Sequence, residues 1–185
     1  MKIRFLSANE QKLLEVRKIL EPVGVDVMPV ARKIAEIQTE NEVELVRDKL
    51  TKAFSIIGRP LFVEHTGLYL DGLNGLPAGL TRIFWNRLEA ERFVSLVQGL
   101  DTNCVTAKTL LGYCDGRKMT LFEGQVRGTI ASRPAGSDGF QWDCVFIPDG
   151  YSQTFAEMGE HKHEISMRRL ALNKLATHLK RTRGT

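Results

Sequence analysis

The feature that most constrains the fold is a pair of long strand patterns, Val105 to Tyr113 and Met119 to Ile130, that meet at Asp115-Gly116. Asp-Gly between two strand patterns is a strong hairpin signal, because both residues accept the left-handed backbone of a tight turn. The N-terminal part adds an alternation of strand and helix. Ile3 to Ala8 reads as a short strand, and Asn9 then caps a helix with Leu13, Val16 and Leu20 at helical spacing. Val25 to Val30 gives a second strand, and Val43, Val46, Leu50, Ala53, Phe54 and Ile57 mark one face of a long helix beginning near Asn41. Leu61-Phe62-Val63-Glu64 reads as a short buried strand ending at Glu64.

Beyond it, Gly67, Gly72, Gly75 and Gly79 break up a loop-rich region, and a helix follows with Phe93, Leu96 and Val97. A Gly/Ser/Pro-rich loop spans Ser132 to Gly139, and a closing helix from about Ile165 to Lys180 carries Leu170, Leu172, Leu175 and Leu179. Strand and helix in alternation predict an α/β fold. The expected architecture is an elongated mixed sheet with flanking helices and a long antiparallel hairpin lobe, all in one folding unit over residues 1–185. A ligand belongs in the cleft between core and lobe.

At 185 residues and 43% hydrophobic, the chain can bury a sizeable core. No apolar run approaches the roughly 20 residues needed to cross a bilayer, and Met1-Lys2-Ile3-Arg4 begins a strand rather than a signal peptide. The expectation is a cytoplasmic protein with no membrane partner. Cys104, Cys114 and Cys144 are odd in number and unpaired in spacing, so they read as reduced core thiols rather than a disulfide framework or zinc site. The net charge of +4 suits small polyanions, whereas the basic run Lys180-Arg181-Thr182-Arg183 lacks the interleaved aromatics of a nucleic-acid surface.

Several segments carry chemistry. Ser7-Ala8-Asn9-Glu10-Gln11-Lys12 sets small residues at a strand end, a polar cap, and a lysine one turn into the helix. Backbone donors at a helix start favour anions, and Lys12 adds a point charge for a phosphate; alone, the segment reads equally as an ordinary capped helix. Glu36, Glu40, Glu42, Glu44 and Glu64 supply carboxylates, two of which near one cleft would hold Mg2+ against a triphosphate. Helix-dipole stabilisation explains Glu42 and Glu44, whereas Glu64 closes a hydrophobic strand, where open sheets place ligands. In Gly139-Phe140-Gln141-Trp142-Asp143-Cys144, aromatics beside polar groups suit stacking on a base and reading its edge, or simple packing under a loop. His161-Lys162-His163 reads as a solvated stretch rather than a metal site.

In this order, these segments resemble the inosine triphosphate pyrophosphatase family, which acts on non-canonical purine nucleoside triphosphates. The carriers are Ser7-Ala8-Asn9-Glu10-Gln11-Lys12, similar to the family's Thr-Gly-Asn-x-x-Lys, and Val63-Glu64-His65-Thr66-Gly67-Leu68 followed by Leu73-Asn74-Gly75-Leu76-Pro77. Gly139-Phe140-Gln141-Trp142-Asp143, Phe146-Ile147-Pro148-Asp149-Gly150, Thr154-Phe155-Ala156-Glu157-Met158 and Ile165-Ser166-Met167-Arg168 complete the likeness over nearly the whole chain. It implies a nucleotide cleft between two lobes, a homodimer, and Mg2+-dependent release of a nucleoside monophosphate and pyrophosphate from ITP, dITP or XTP. By the same resemblance Asn9, Lys12 and Lys49 hold phosphates, with Arg87 where the family often has another lysine, and Glu40 and Glu64 serve the metal. Phe140 stacks on the base, Trp142 and Asp143 line its pocket, and Lys162 and Arg168 close the site. A 6-keto purine offers an acceptor where adenine offers a donor, so a fixed Arg168 rewards the keto base.

The chain departs from the family where chemistry is most exacting. The second acid of the Glu-Asp pair, which serves the attacking water, is His65 here. Imidazole accepts protons but is a poor Mg2+ ligand, and losing a positioned base typically costs about 10²–10⁴ in rate. Met167 replaces the histidine of Ser-His-Arg, and Gln141 and Cys144 replace a glycine and a proline beside the base pocket. Binding groups are thus better kept than the catalytic one. This pattern fits a pyrophosphatase using His65, Glu64 and Lys49, or a catalytically impaired sensor whose bound nucleotide controls an effector protein.

Overall fold

The computed structural model describes residues 1–7, 9–137 and 141–182. Its strands are β1 (Lys2–Leu6), β2 (Asp26–Val30), β3 (Leu61–Leu70), β4 (Cys104–Cys114), β5 (Met119–Ile130) and β6 (Phe146–Pro148). They form one six-stranded sheet in the order β2-β1-β3-β4-β5-β6. The first three are mutually parallel and the remainder antiparallel, so the expected mixed α/β architecture is present.

The helices are α1 (Glu10–Leu20), α2 (Glu42–Ile57), α3 (Thr81–Gln98), the single turns α4 (Phe155–Met158) and α5 (Lys162–Ile165), and α6 (Met167–Arg181). Their starts are set by short polar side chains. Asn9 Oδ1 accepts from the Lys12 N–H at 3.0 Å, Asn41 Oδ1 from the N–H groups of Val43 and Glu44, and Ser166 Oγ from the Arg169 N–H. Each such cap is worth about 1 kcal/mol.

The two-residue period of β3 divides the core. Phe62 stacks on Phe5 at 4.5 Å and packs with Leu111 and Tyr113 beneath α1 and α6, against Val16, Leu20, Leu172 and Leu175. Leu61 and Val63 point the other way, onto Leu45, Val46, Leu50 and Ala53 of α2. A third apolar cluster around Leu68, Leu70, Phe93, Trp142, Phe146 and Phe155 fills the far end.

The hairpin forms at Asp115-Gly116 as expected, with Asp115 Oδ1 accepting from the N–H groups of Arg117 and Lys118. The strand expected to stop at Glu64 instead runs ten residues to Leu70, because β4 pairs with it from Leu61↔Cys114 to Leu70↔Val105. Gly67 therefore does not break the strand. A side chain there would sit 2.5 Å from the Ala78 carbonyl oxygen, so glycine is what lets the following loop close over β3. The closing helix begins at Met167 rather than Ile165, because Ser166 caps it and Ile165 ends α5. Gly124 of β5 lets the start of α6 lie on the sheet: a Cβ there would come within 2.1 Å of the Met167 carbonyl oxygen. All three cysteines are free, Cys114 buried and Cys104 and Cys144 only half-buried. Among the described residues no helix is long and apolar enough to cross a membrane.

Candidate functional site

Because successive side chains of a strand face opposite ways, Glu64 and His65 serve the two sides of β3. Glu64 continues the Phe62 face toward α1 and α6. There its carboxylate meets Lys12 Nζ at 2.8 Å and accepts from Arg168 Nε at 3.0 Å. Arg168 also donates through Nη1 to Glu15, whose other oxygen accepts from Ser166 Oγ at 3.3 Å and lies 3.3 Å from His163 Nδ1. Lys12, Glu64, Arg168, Glu15 and His163 thus form one chain of ionisable groups, with the side chains of Glu64, Glu15 and Arg168 each under a tenth exposed.

Burial alone would raise the Glu64 pKa, but the charges of Arg168 and Lys12 outweigh it and hold the carboxyl far below the usual range. Glu15 is likewise pulled down to about 2, burial being overcome by His163 and Arg168. Arg168 is pushed further up by the two carboxylates. The guanidinium expected to read a keto oxygen therefore has Nε and Nη1 already engaged by carboxylates.

On the other face, His65 continues the Val63 line toward α2. A cleft of about 90 Å³ opens here, walled by Lys12, Glu36, Lys49, Glu64, His65, Thr66, Arg82 and Gln141 among others. Lys49 donates to Glu36 at 2.7 Å and to the Glu64 carbonyl at 3.2 Å, and Arg82 Nη2 sits 3.2 Å from the second Glu36 oxygen. Burial, with Lys49 beside it, lowers the His65 pKa to about 4, so the ring is neutral at physiological pH. Its Nε2 is buried with no hydrogen-bond partner, while the Ala78 carbonyl acts as the ring's backbone acceptor. That carbonyl also accepts from Thr81 Oγ1 at 2.7 Å, and Ala78 is itself left-handed at φ 47°.

Stability derived from burying neutral His65 is fully present above its unfolded pKa of 6.5 and is lost as pH falls from 6.5 toward 4. The loss is on the order of 2–3 kcal/mol. Glu64 and Glu15, with depressed folded values, lose their contributions only below the unfolded 4.5, so the windows separate. Urea unfolding from about pH 7 to about pH 4.5 should show the wild type weakening and a His65→Gln variant nearly level; equal slopes reject this account of His65.

A second group of buried polar and aromatic residues lies across Lys12 and Arg168. Trp142 and Asp143 are buried in a short 3₁₀ turn, Asp143 is ion-paired with Lys162, and the Lys162 ammonium lies 5.6 Å over the Phe155 ring. A small cavity of about 30 Å³ touches Lys12, Thr66, Gln141, Trp142, Asp143, Lys162, Met167 and Arg168. It adjoins a larger one of about 310 Å³ that shares Lys12, Asp143, Lys162 and Arg168.

Of the residues expected at the site, Lys12, Lys49, Glu64, His65, Trp142, Asp143, Lys162 and Arg168 converge on these connected cavities. Asn9 holds the start of α1 with its side-chain oxygen. Phe140 lies outside the described residues. Arg87 is exposed on α3 and does not line the cleft; the arginine that does is Arg82, from the first turn of the same helix. Glu40 is exposed, contributing its carbonyl to the Gly79 N–H, and the carboxylate on the cleft wall is Glu36. His163, read as solvated, is half-buried against Glu15, and Lys162 is buried. Glu15 escaped the sequence reading, although its spacing of three from Lys12 places both on one helix face.

Among the described residues no group of three or more His, Cys, Asp or Glu is arranged to hold a metal. Mg2+ is commonly held by one or two carboxylates together with substrate phosphates. Glu64, ionised and hard, fits that donor set, and His65 does not.

The fold and the cleft define a mixed-sheet α/β protein with a cleft walled by Lys12, Lys49 and Arg82 beside the strand carrying Glu64. The chain belongs to the Ham1 family, whose profile matches residues 3–178. It is 34% identical over 178 residues to a dITP/XTP pyrophosphatase of Methanopyrus kandleri, covering 95% of each chain. It is also 38% identical over 180 residues to inosine triphosphate pyrophosphatase 2 of Trypanosoma cruzi, covering 96% of this chain and 91% of that one. A HAM1 protein from Coxiella burnetii superposes with a TM-score of 0.85 at 22% identity, over 98% of this chain and 99% of that one.

Proposed function

We propose that this chain binds a purine nucleoside triphosphate of the dITP, ITP or XTP kind as its Mg2+ chelate and hydrolyses it slowly to the monophosphate and pyrophosphate. Support comes from the family and from a cleft where Lys12, Lys49 and Arg82 gather beside the part of β3 that bears the ionised Glu64. The single observation that carries the low rate is the neutral His65 ring, which lines the cleft and whose buried Nε2 has no hydrogen-bond partner.

In this reading, Lys12 and Lys49 turn from their carboxylates to the phosphates, offsetting charge that would otherwise repel Glu64 and Glu36. Glu64 would hold Mg2+ together with the phosphates, and the ion would supply positive charge against the phosphate oxygens. A water oxygen adds to the α-phosphorus, the bond from that phosphorus to the bridging oxygen of the β-phosphate breaks, pyrophosphate leaves, and the water proton passes to His65 Nε2. A base whose conjugate acid has a pKa near 4 accepts that proton weakly, which sets the low rate. Purine recognition falls to Trp142, Asp143, Lys162 and Arg168.

A second reading is a nucleotide sensor that binds without turnover and controls a partner. The engagement of Glu64 by both Lys12 and Arg168 favours it. Titration calorimetry with dITP and Mg2+, run beside pyrophosphate detection on the same samples, tests both. Binding with slow pyrophosphate release is the expected result. Binding with none leaves the sensor, and absence of binding removes both readings.

A further inference from the structure

The geometry points to Tyr69 and Glu42 as a positioning pair that sets where α2 lies on the sheet and, through it, where Lys49 meets the phosphates, an inference that rests on the reading above. Glu42 opens α2, where an acid ordinarily stays in water and faces the helix dipole. Here it is 3% exposed. The Tyr69 hydroxyl donates to one oxygen of its carboxylate, and the other oxygen lies 3.3 Å from Lys108 Nζ. Lys108 in turn sits 4.4 Å over the Tyr69 ring and 3.6 Å from Glu123. The first turn of α2 is thus tied to β3 through Tyr69, to β4 through Lys108 and, by way of Lys108, to Glu123 on β5.

Burial pushes the Glu42 pKa up, and the hydrogen bond from Tyr69 and the charge of Lys108 offset only part of that. A carboxylate buried on such terms adds little stability, and its best-attested use is to fix the register of one element against another. The rest of the α2 seat leaves register open. Leu45, Val46, Leu50 and Ala53 meet the sheet at Leu61, Val63 and Leu110. At Gly112 of β4 the sheet presents no side chain to them: a Cβ there would come within 2.7 Å of Val46 Cγ1 and 3.2 Å of Leu50 Cδ2. Apolar contact of this kind is non-directional, whereas hydrogen bonds at the helix start hold both distance and angle. Lys49 stands seven residues beyond Glu42, two turns along the same face. Its ammonium reaches Glu36 at 2.7 Å and the Glu64 carbonyl at 3.2 Å, and a misplacement of about 1 Å is enough to weaken a contact of this kind with bound phosphate.

The test is a double-mutant cycle read by titration calorimetry with dITP and Mg2+ on the wild type, Tyr69→Phe, Lys49→Met and the double variant. Phenylalanine keeps the ring beneath Lys108 and removes only the hydroxyl. A hydrogen bond between charged groups contributes about 10- to 100-fold in affinity, so Tyr69→Phe, which misplaces Lys49 without removing it, should weaken binding about fivefold. In the Lys49→Met background the same change should have no effect, because the group through which it acts is gone. Glu42→Gln, still able to accept from Tyr69 but without charge toward Lys108, gives a second arm and should weaken binding about twofold, again only where Lys49 is present. Inorganic tripolyphosphate with Mg2+ should reproduce both losses, since the pair acts on the phosphate side. A general loosening of the fold would weaken binding equally in both backgrounds; that result, or wild-type affinity in Tyr69→Phe, overturns the assignment and leaves the nucleotide-binding reading intact. Failure of dITP to bind the wild type overturns both.

Discussion

Arg168→Met is expected to lower the free energy of unfolding by about 3–5 kcal/mol, the usual cost of removing one partner from a buried ionic network. Methionine nearly matches the stem of arginine, so little cavity forms and the loss is electrostatic. Glu64 and Glu15 would remain buried, with Lys12 and His163 as their nearest remaining partners. Both carboxyls are now held below their ordinary pKa with the help of Arg168. Without it their folded pKa values rise, and the stability they contribute, present above the unfolded value of 4.5, shrinks. The deficit should therefore be largest near neutrality and narrow on acidification, as protonation relieves the stranded charges. Urea unfolding at several pH values gives the deficit, and a cycle with Glu15→Gln should be less than additive, because each change removes the same contact. A deficit below about 1 kcal/mol that ignores pH would show the network to be screened by solvent.

How much of this was legible in the sequence depended on whether a residue sat on a periodic element. A strand at Leu61 to Glu64, the cap at Asn9 and a helix start near Asn41 were readable from local chemistry, and α1, α2 and α6 followed within a residue or two. The length of β3 was not, because strand extension past Gly67 depends on its pairing with β4 and on the approach of Ala78, both distant in sequence. Glu36 lies outside any helix or strand, in the segment 31–41 before α2, where no repeat indicates which way a side chain points; its pairing with Lys49 and Arg82 exists only in three dimensions. Resemblance directed attention to Glu40 and Arg87, and packing brought Glu36 and Arg82 to the wall instead. Gln141 was visible as a departure from glycine, but its place at the junction of two cavities required the fold.

His65→Asp is expected to raise pyrophosphate release by about 10²–10⁴ over the wild type, the range a well-placed general base supplies. A carboxylate at this position faces the surroundings that now depress the imidazole. Lys49 disfavours a second positive charge on the ring and favours a negative one, so the new group would be ionised at neutral pH and supply a hard oxygen toward bound Mg2+. The wild type should show a low rate that hardly changes above about pH 5, because a group with a pKa near 4 is already deprotonated there. His65→Asn, similar in size to the aspartate and unable to take a proton, should not gain. Coupled phosphate assays at saturating dITP, with calorimetry to verify occupancy, separate the outcomes. If the aspartate variant binds nucleotide yet turns over no faster, the limit lies not at His65 but at Glu64, whose carboxylate stays closed between Lys12 and Arg168 on the opposite face of the same strand.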